Sequence, residues 1–199
     1  MKDLGTEPGN TAKFAILRFM KPHRSYQLKN YNPNWANEFK KKAQLLRSIF
    51  GDEVIDIQHI GSTSIPGMMA KPQIDILVIV KDLTRVKNYY DAMSRAGFTP
   101  RGTDYVGVGD EYFTEDAPSG ERVTSVHVFP QGHPKISEYL NLRDYLKNHK
   151  QDRDLYIETK KKLYQQHSEN YAAYDSGKNE VIKTIIRRVN EWAQRKRFK

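Results

Sequence analysis

Two apolar runs joined through a Gly-Ser turn constrain this chain more than any other feature. The first, Val54-Ile55-Asp56-Ile57-Gln58-His59-Ile60, ends on Gly61-Ser62. The second, Ile74-Asp75-Ile76-Leu77-Val78-Ile79-Val80, places Asp75 with twelve residues between it and Ser62. Both runs are rich in β-branched residues and short enough to be strands. The second is almost continuously apolar, as expected of an interior strand buried on both faces. Asp75 is the exception within it. A carboxylate in such a setting is retained only when it is paired or bound to a metal, so Asp75 asks for Lys71, Arg143 or a cation. A small turn able to approach phosphates therefore sits beside an acid able to hold a divalent ion. Phosphoryl and nucleotidyl transfer use that pairing, because their catalysis is mostly positioning and charge neutralisation.

The rest of the composition narrows the class. At 199 residues the chain fits one domain, and a chain of this size buries roughly 70% of its unfolded surface without needing staples. Hydrophobic content of 38% and charged content of 29% describe a folded chain rather than a disordered one. With no cysteine, disulfides, thiolate metal sites and thiol nucleophiles are excluded. No apolar run approaches the ~20 residues that cross a bilayer, and Phe14 to Met20 is too short and too charged for a signal peptide. A cytoplasmic protein without a membrane partner is the expectation. The net charge is +9, and residues 178–199 hold eight Lys/Arg against two acids. Such a tail can attract nucleic acid. No aromatic residues interleave with the charges as a stacking platform requires, so nucleic acid is not the favoured partner and a solvated helix face is.

Turn and cap signals divide the chain. Residues 1–22 read as a flexible leader broken by Gly5, Pro8 and Gly9. Ser25–Tyr31 reads as an edge strand. Asn34 caps a helix carrying Trp35, Phe39, Ala43, Leu46 and Phe50 at spacings of three and four, ended by Gly51. Strand 54–60 follows, then a short helix within 62–69, strand 73–80 and a helix from Asp82 to Arg95. After a glycine-rich stretch, Tyr112–Glu115 and Arg122–Phe129 form an antiparallel pair around 117–120. From Pro134 onward the pattern is helical: 135–147, 152–169, and a last helix with Ile182, Ile185, Ile186, Val189 and Trp192 on one stripe. The expected fold class is α/β (α+β): a small mixed sheet flanked by helices over about 23–133, continued by a helical part over about 134–199, all in one domain.

The residues able to carry chemistry cluster around that turn. Gly61, Ser62, Thr63 and Ser64 supply backbone N–H groups and hydroxyls for a phosphate, or else merely cap a helix. His59 and His127 are polar residues inside strands, able to ligate a metal or move a proton, or simply to hydrogen-bond in a core. Arg143 lies on the stripe of Ile136, Tyr139, Leu140 and Leu146, a placement that calls for an anion. Lys71 and Lys178 are further candidates for phosphate. His133 and His149 receive no role. There is no Walker-type loop, no Gly-x-Ser-x-Gly elbow and no His-Glu-x-x-His.

The run His59 to Gly67, then Ala70-Lys71-Pro72 and Ile74-Asp75-Ile76, resembles the GrpB family. Tyr31-Asn32-Pro33-Asn34-Trp35, Val126-His127-Val128 and Leu142-Arg143-Asp144-Tyr145-Leu146 agree with it in order. The resemblance implies a nucleotidyltransferase fold of polymerase-β type. It also implies metal-dependent transfer of NMP from an NTP to an acceptor, with Gly61, Ser62, Thr63, Ser64, Lys71, Arg143 and Lys178 at the phosphates. Asp75 and His127 would be catalytic, and Asp75, His127 and His59 would hold the metal, Mg²⁺ or Mn²⁺. Some relatives are fused to dephospho-coenzyme A kinase. The superfamily pattern has a second acid two residues after the first, and here that position is Leu77. Two Mg²⁺ about 4 Å apart need several carboxylates, so a set of one Asp and one or two His suits Mn²⁺ or Zn²⁺ better. The other reading is therefore a protein that binds a nucleotide or phosphorylated small molecule without transferring it.

Overall fold

The structure, a computed structural model, describes residues 26–105 and 107–197. The leader and Ser25 lie outside them. The fold is built on a five-stranded mixed sheet: β1 (Val54–Ile60), β2 (Ile74–Val80), β3 (Thr99–Thr103), β4 (Glu111–Asp116) and β5 (Arg122–Pro130), in the order β1-β2-β5-β4-β3. β2 pairs antiparallel with β1 and parallel with β5, while β4 is antiparallel to both β5 and β3. The helices are α1 (Trp35–Phe50), α2 (Tyr90–Arg95), α3 (Pro134–Asn148), α4 (Lys150–His167), α5 (Tyr171–Gly177) and α6 (Asn179–Arg197).

The two-residue period of the strands fixes which helices cover which face. Ile74, Ile76, Val78 and Val80 of β2 point with Phe113, Val126 and Val128 toward Trp35, Leu46 and Phe50 of α1 and Met93 of α2. Leu77 and Ile79 point the other way and pack with Ile60, Phe129, and Ile136, Tyr139 and Leu140 of α3. A third cluster binds the helices to the Gly-Ser turn: Ile65 and Met68 meet Tyr145, Leu146, Tyr156, Ile185 and Val189. β2 is thus buried on both faces, as its continuous apolar character requires.

Local departures from the sequence expectation have local causes. The edge strand is reduced to one bridge, Lys29 to Ala70, held by two backbone hydrogen bonds of 2.8 and 2.9 Å. Pro72, two residues on, has no N–H to extend it. The helix expected within 62–69 is a single 3₁₀ turn, Ser62–Ser64, because Pro66-Gly67 follows at once. From Asp82 to Arg95 the chain is first 3₁₀ (Leu83–Tyr89) and only then α2; Asp82 does cap it, accepting from Thr84 N at 2.9 Å. Asn34 makes no cap hydrogen bond. Its own N–H is taken by Asn32 Oδ1 at 3.0 Å, and the first turn begins on the Asn32 and Pro33 carbonyls. Helix α5 was not expected at all. Asn170 is its N-cap and accepts from Ala173 N at 3.0 Å. Ile186 leaves the apolar stripe of α6 and is exposed, while Ile185 and Val189 are buried.

Phe113 sits where three elements meet, edge-on to Tyr90 of α2 at 5.4 Å and to Phe50 of α1 at 6.3 Å. Phe113→Ala is expected to cost about 3–5 kcal/mol, read as a lower urea midpoint. Ile186→Ala should stay within about 0.5 kcal/mol of wild type.

Candidate functional site

Register brings the site together. Asp75 lies opposite Ile60 on one side and Ser125 on the other, so its carboxylate stands on the α3 face beside the end of β1. Gly61 follows Ile60 at φ 69°, and a Cβ there would sit 2.3 Å from Asp75 Oδ2. Only glycine combines that positive φ with that approach. Ser64 closes the turn by donating its hydroxyl to the Gly61 carbonyl at 2.6 Å. Thr63 donates to the Gln73 carbonyl at 3.0 Å, fastening the turn to the start of β2. Those two hydroxyls brace the turn, and Ser62 is the one aimed into the cleft. Gln73 Nε2 donates to Asp75 Oδ1 at 2.5 Å and to Ser125 Oγ at 3.0 Å, which fixes the carboxylate's orientation. Among the described residues Asp75 forms no ion pair, so neither Lys71 nor Arg143 is its partner.

Ser62 accepts from Lys160 Nζ at 2.6 Å, and Lys160 also donates to the Met69 carbonyl at 3.0 Å. Lys160 is 3% exposed, its ammonium 4.3 Å from the centre of the Tyr156 ring. Burial first, then Lys178 and Lys71, push its pKa well below the ordinary value, with Asp75 opposing them. Lys71 donates to Tyr171 Oη at 2.7 Å, and Lys178 pairs with Asp175 at 2.8 Å. These groups line a cavity of about 260 Å³ with Gly61, Ser62 and Asp75.

A second cavity of about 230 Å³ opens from the same turn and is lined by Asp75, His127, Tyr139, Arg143 and the apolar side chains of Ile60, Ile65, Leu142 and Leu146. His127 Nδ1 donates to Asp110 Oδ2 at 2.5 Å, leaving Nε2 as its remaining nitrogen. Asp110 is fully buried, and its Oδ1 has no hydrogen-bond partner among the described residues. Tyr139 faces the same carboxylates: burial, then Asp110 and Asp75, raise its pKa. Arg143 donates to Gln58 Oε1 at 2.8 Å, to the His59 carbonyl at 3.1 Å and to Asp144 at 2.7 Å, tying α3 to β1 while bordering the cavity.

The comparisons with known proteins agree with this architecture. The family model described as GrpB protein matches residues 25–188. The chain belongs to the GrpB family. It is 38% identical over 171 residues to UPF0157 protein YqkA of Bacillus subtilis, covering 86% of this chain and about half (49%) of YqkA. The crystal structure of the conserved protein GrpB from Enterococcus faecalis superposes with a TM-score of 0.79 at 30% identity, covering 84% of this chain and 99% of that one. The poly(U) polymerase Cid1, in complex with the UTP analogue UMPNPP, superposes with a TM-score of 0.50 at 14% identity, over 84% of this chain and 53% of that one. The likeness to Cid1 is one of fold: this GrpB chain has a nucleotidyltransferase-like mixed sheet flanked by helices.

Within that fold the donor set departs from a metal centre. Leu77, where the pattern has a second acid, is fully buried against Ile60, Ile79 and Phe129, so a carboxylate there would be desolvated. His59 stands on the opposite face of the sheet from Asp75, stacked on Phe39 of α1 at 4.7 Å. Its Nε2 donates to Thr63 Oγ1 at 3.1 Å, since the Thr63 hydrogen goes to Gln73. It cannot join Asp75 and His127 on one ion. Among the described residues no three His, Cys, Asp or Glu side chains gather closely enough to hold a metal. The residues present do not fit paired Mg²⁺. Asp110 and Lys160 are the members that sequence reasoning missed. Lys160 shares a stripe with Asp152 and Tyr156 at spacings of four, the buried face of α4, and that spacing was the available signal. Of the basic tail, Lys178, Lys183 and Arg188 are engaged by Asp175, Glu180 and Asp152, and Lys196 lies over Trp192. Among the described residues no helix is long and apolar enough to cross a membrane.

Two outcomes follow from this geometry. Gly61→Ala forces a methyl onto Asp75 at an unfavourable φ, and a loss of at least about 2 kcal/mol is expected by urea unfolding. Burial, then Lys147 and Arg143, lower the His59 pKa from 6.5 to about 4. Its neutral form is favoured by folding, so this stability is complete above pH 6.5 and is lost as pH falls toward 4. Allowing for partial solvent exposure, about 2 kcal/mol should disappear across that window in wild type and less in His59→Gln.

Proposed function

We propose that this protein binds a nucleotide or a related phosphorylated small molecule in the cleft between β1, β2 and the helices α3–α6, and that its chemistry is nucleotidyl transfer to a small acceptor. The observation that carries the reading is the contact of Gly61 with Asp75. A backbone that can approach a phosphate is held against a fixed carboxylate, with Ser62 and Lys160 at its edge. Lys71, Lys160 and Lys178 suit the phosphate end. The more apolar cavity beside His127 suits the body of an acceptor. In such a reaction the acceptor oxygen attacks the α-phosphorus, the bond to the bridging oxygen breaks and pyrophosphate leaves. His127, held through Nδ1 by Asp110, would present Nε2 to the acceptor's proton.

Binding without transfer is the second reading, favoured by Leu77 in place of an acid. The two separate by α-phosphate-labelled NTP: label retained on an acceptor supports transfer, and label recovered unchanged beside clear binding supports the second. The first test is thermal unfolding of wild type and Asp75→Asn with a panel of NTPs, with and without Mg²⁺ or Mn²⁺. A ligand at 100 times its Kd adds about 2.7 kcal/mol, or about 5–10 °C in Tm for a chain of this size. A shift in wild type that Asp75→Asn changes is expected. The absence of any shift across the whole panel would sink the nucleotide reading.

A further inference from the structure

We infer that the cleft recognises a di- or triphosphate chain through lysine charge in place of paired divalent cations, with Lys71, Lys160 and Lys178 converging on the Gly61-Ser62 turn. The inference rests on the reading that a phosphorylated ligand occupies this cleft. Its foundation is the state of Lys160. This ammonium is 3% exposed and has two neutral oxygen acceptors, Ser62 Oγ and the Met69 carbonyl, for three N–H groups. Among the described residues no carboxylate pairs with it. A buried cation without a counter-ion is costly, and a site that retains one is built for an anion that arrives from outside.

Three further observations name the anion. The cations come from three separate segments: Lys71 from the turn before β2, Lys160 from the middle of α4, and Lys178 from the junction of α5 and α6. One phosphate does not require that convergence; a chain of phosphates does. The wall between them carries the Tyr156, Tyr171 and Tyr174 rings, and Lys71, Lys160 and Lys178 each lie over one of these at 4.2, 4.3 and 5.0 Å. The rings help to hold the ammonium groups in place; Lys178 also pairs with Asp175, which lines the same cavity, whereas Lys160 has only its two neutral oxygen acceptors. The carboxylates that would hold two metals are absent where the fold would place them, since position 77 is a buried leucine and His59 faces away. The positive charge that metals would bring is supplied by side chains. Burial and its two lysine neighbours lower the Lys160 pKa, and an incoming polyphosphate would favour its charged form.

The test is isothermal titration of the full chain with sodium tripolyphosphate, pyrophosphate and orthophosphate in EDTA, repeated with excess Mg²⁺. One tripolyphosphate per chain is expected to bind in EDTA, at least tenfold tighter than orthophosphate and no tighter with Mg²⁺. Lys160→Met should weaken it tenfold or more while raising the Tm of the free protein, because it removes the uncompensated charge. A lysine with only a structural role would lower that Tm. Lys178→Met provides a second, less buried variant and should also weaken binding tenfold or more. Tripolyphosphate affinity that appears only with Mg²⁺, or that survives intact in both variants, overturns the inference. If ATP binds with Mg²⁺ while metal-free tripolyphosphate does not, the inference fails and the nucleotide reading stands. If no phosphate compound binds under either condition, both fall.

Discussion

The site depends on the absence of one carbon atom. Gly61 can follow β1 with a positive φ and lie against Asp75 only because it has no Cβ, which would come within 2.3 Å of the carboxylate. That approach sets the position of the turn, and the turn sets the rest. Thr63 reaches the Gln73 carbonyl, Ser64 closes back on Gly61, and Ser62 is left directed at Lys160. Gln73 in turn fixes Asp75 from the other side. Each bond is ordinary, worth about 1 kcal/mol. Their joint effect is geometric, because they place an acid and a cation on opposite sides of the same two residues.

The two cavities that meet at this turn differ in kind. On the α4–α6 side three lysines and three tyrosines line the cavity beside Asp75 and Asp175; on the α3 side the lining is apolar apart from Ser62, Asp75, His127, Tyr139, Arg143 and Tyr156. A ligand with a charged end and a less polar end is matched by that asymmetry. Asp110 lies behind His127 as a fully buried acid with one oxygen engaged and the other unpartnered. Such a group sets the ring's tautomer, and therefore which nitrogen faces the cavity.

Most of the sheet was legible in the sequence, because strands β1, β2, β4 and β5 are local patterns of two-residue period or continuous apolarity bounded by turns. Gly61, Ser62 and Asp75 were legible for the same reason. Lys160 was not picked out: it stands first in Lys160-Lys161-Lys162, and in the sequence only its spacing of four from Tyr156 and eight from Asp152 sets it apart from its neighbours. Asp110 was hidden by the glycine-rich stretch around Gly107 and Gly109, where no period exists to assign a face. His59 and His127 look equivalent as histidines within strands. Pairing sends them to opposite faces, since His59 lies opposite Ile76 and His127 opposite Leu77.

The position of the cleft has a consequence for the mechanics of the molecule. Gly61, Ser62 and Asp75 belong to the sheet, whose main cluster is closed by α1 and α2; Tyr156, Lys160 and Lys178 belong to the helical segment, whose cluster is closed by α3, α4 and α6. An occupant that touches both sets is a clamp across the seam. An occupant there would couple the opening of the sheet to that of the helices, which Ile65 and Met68 already join. If the occupant is the phosphate compound proposed above, its concentration would set how far the chain behaves as one cooperative body.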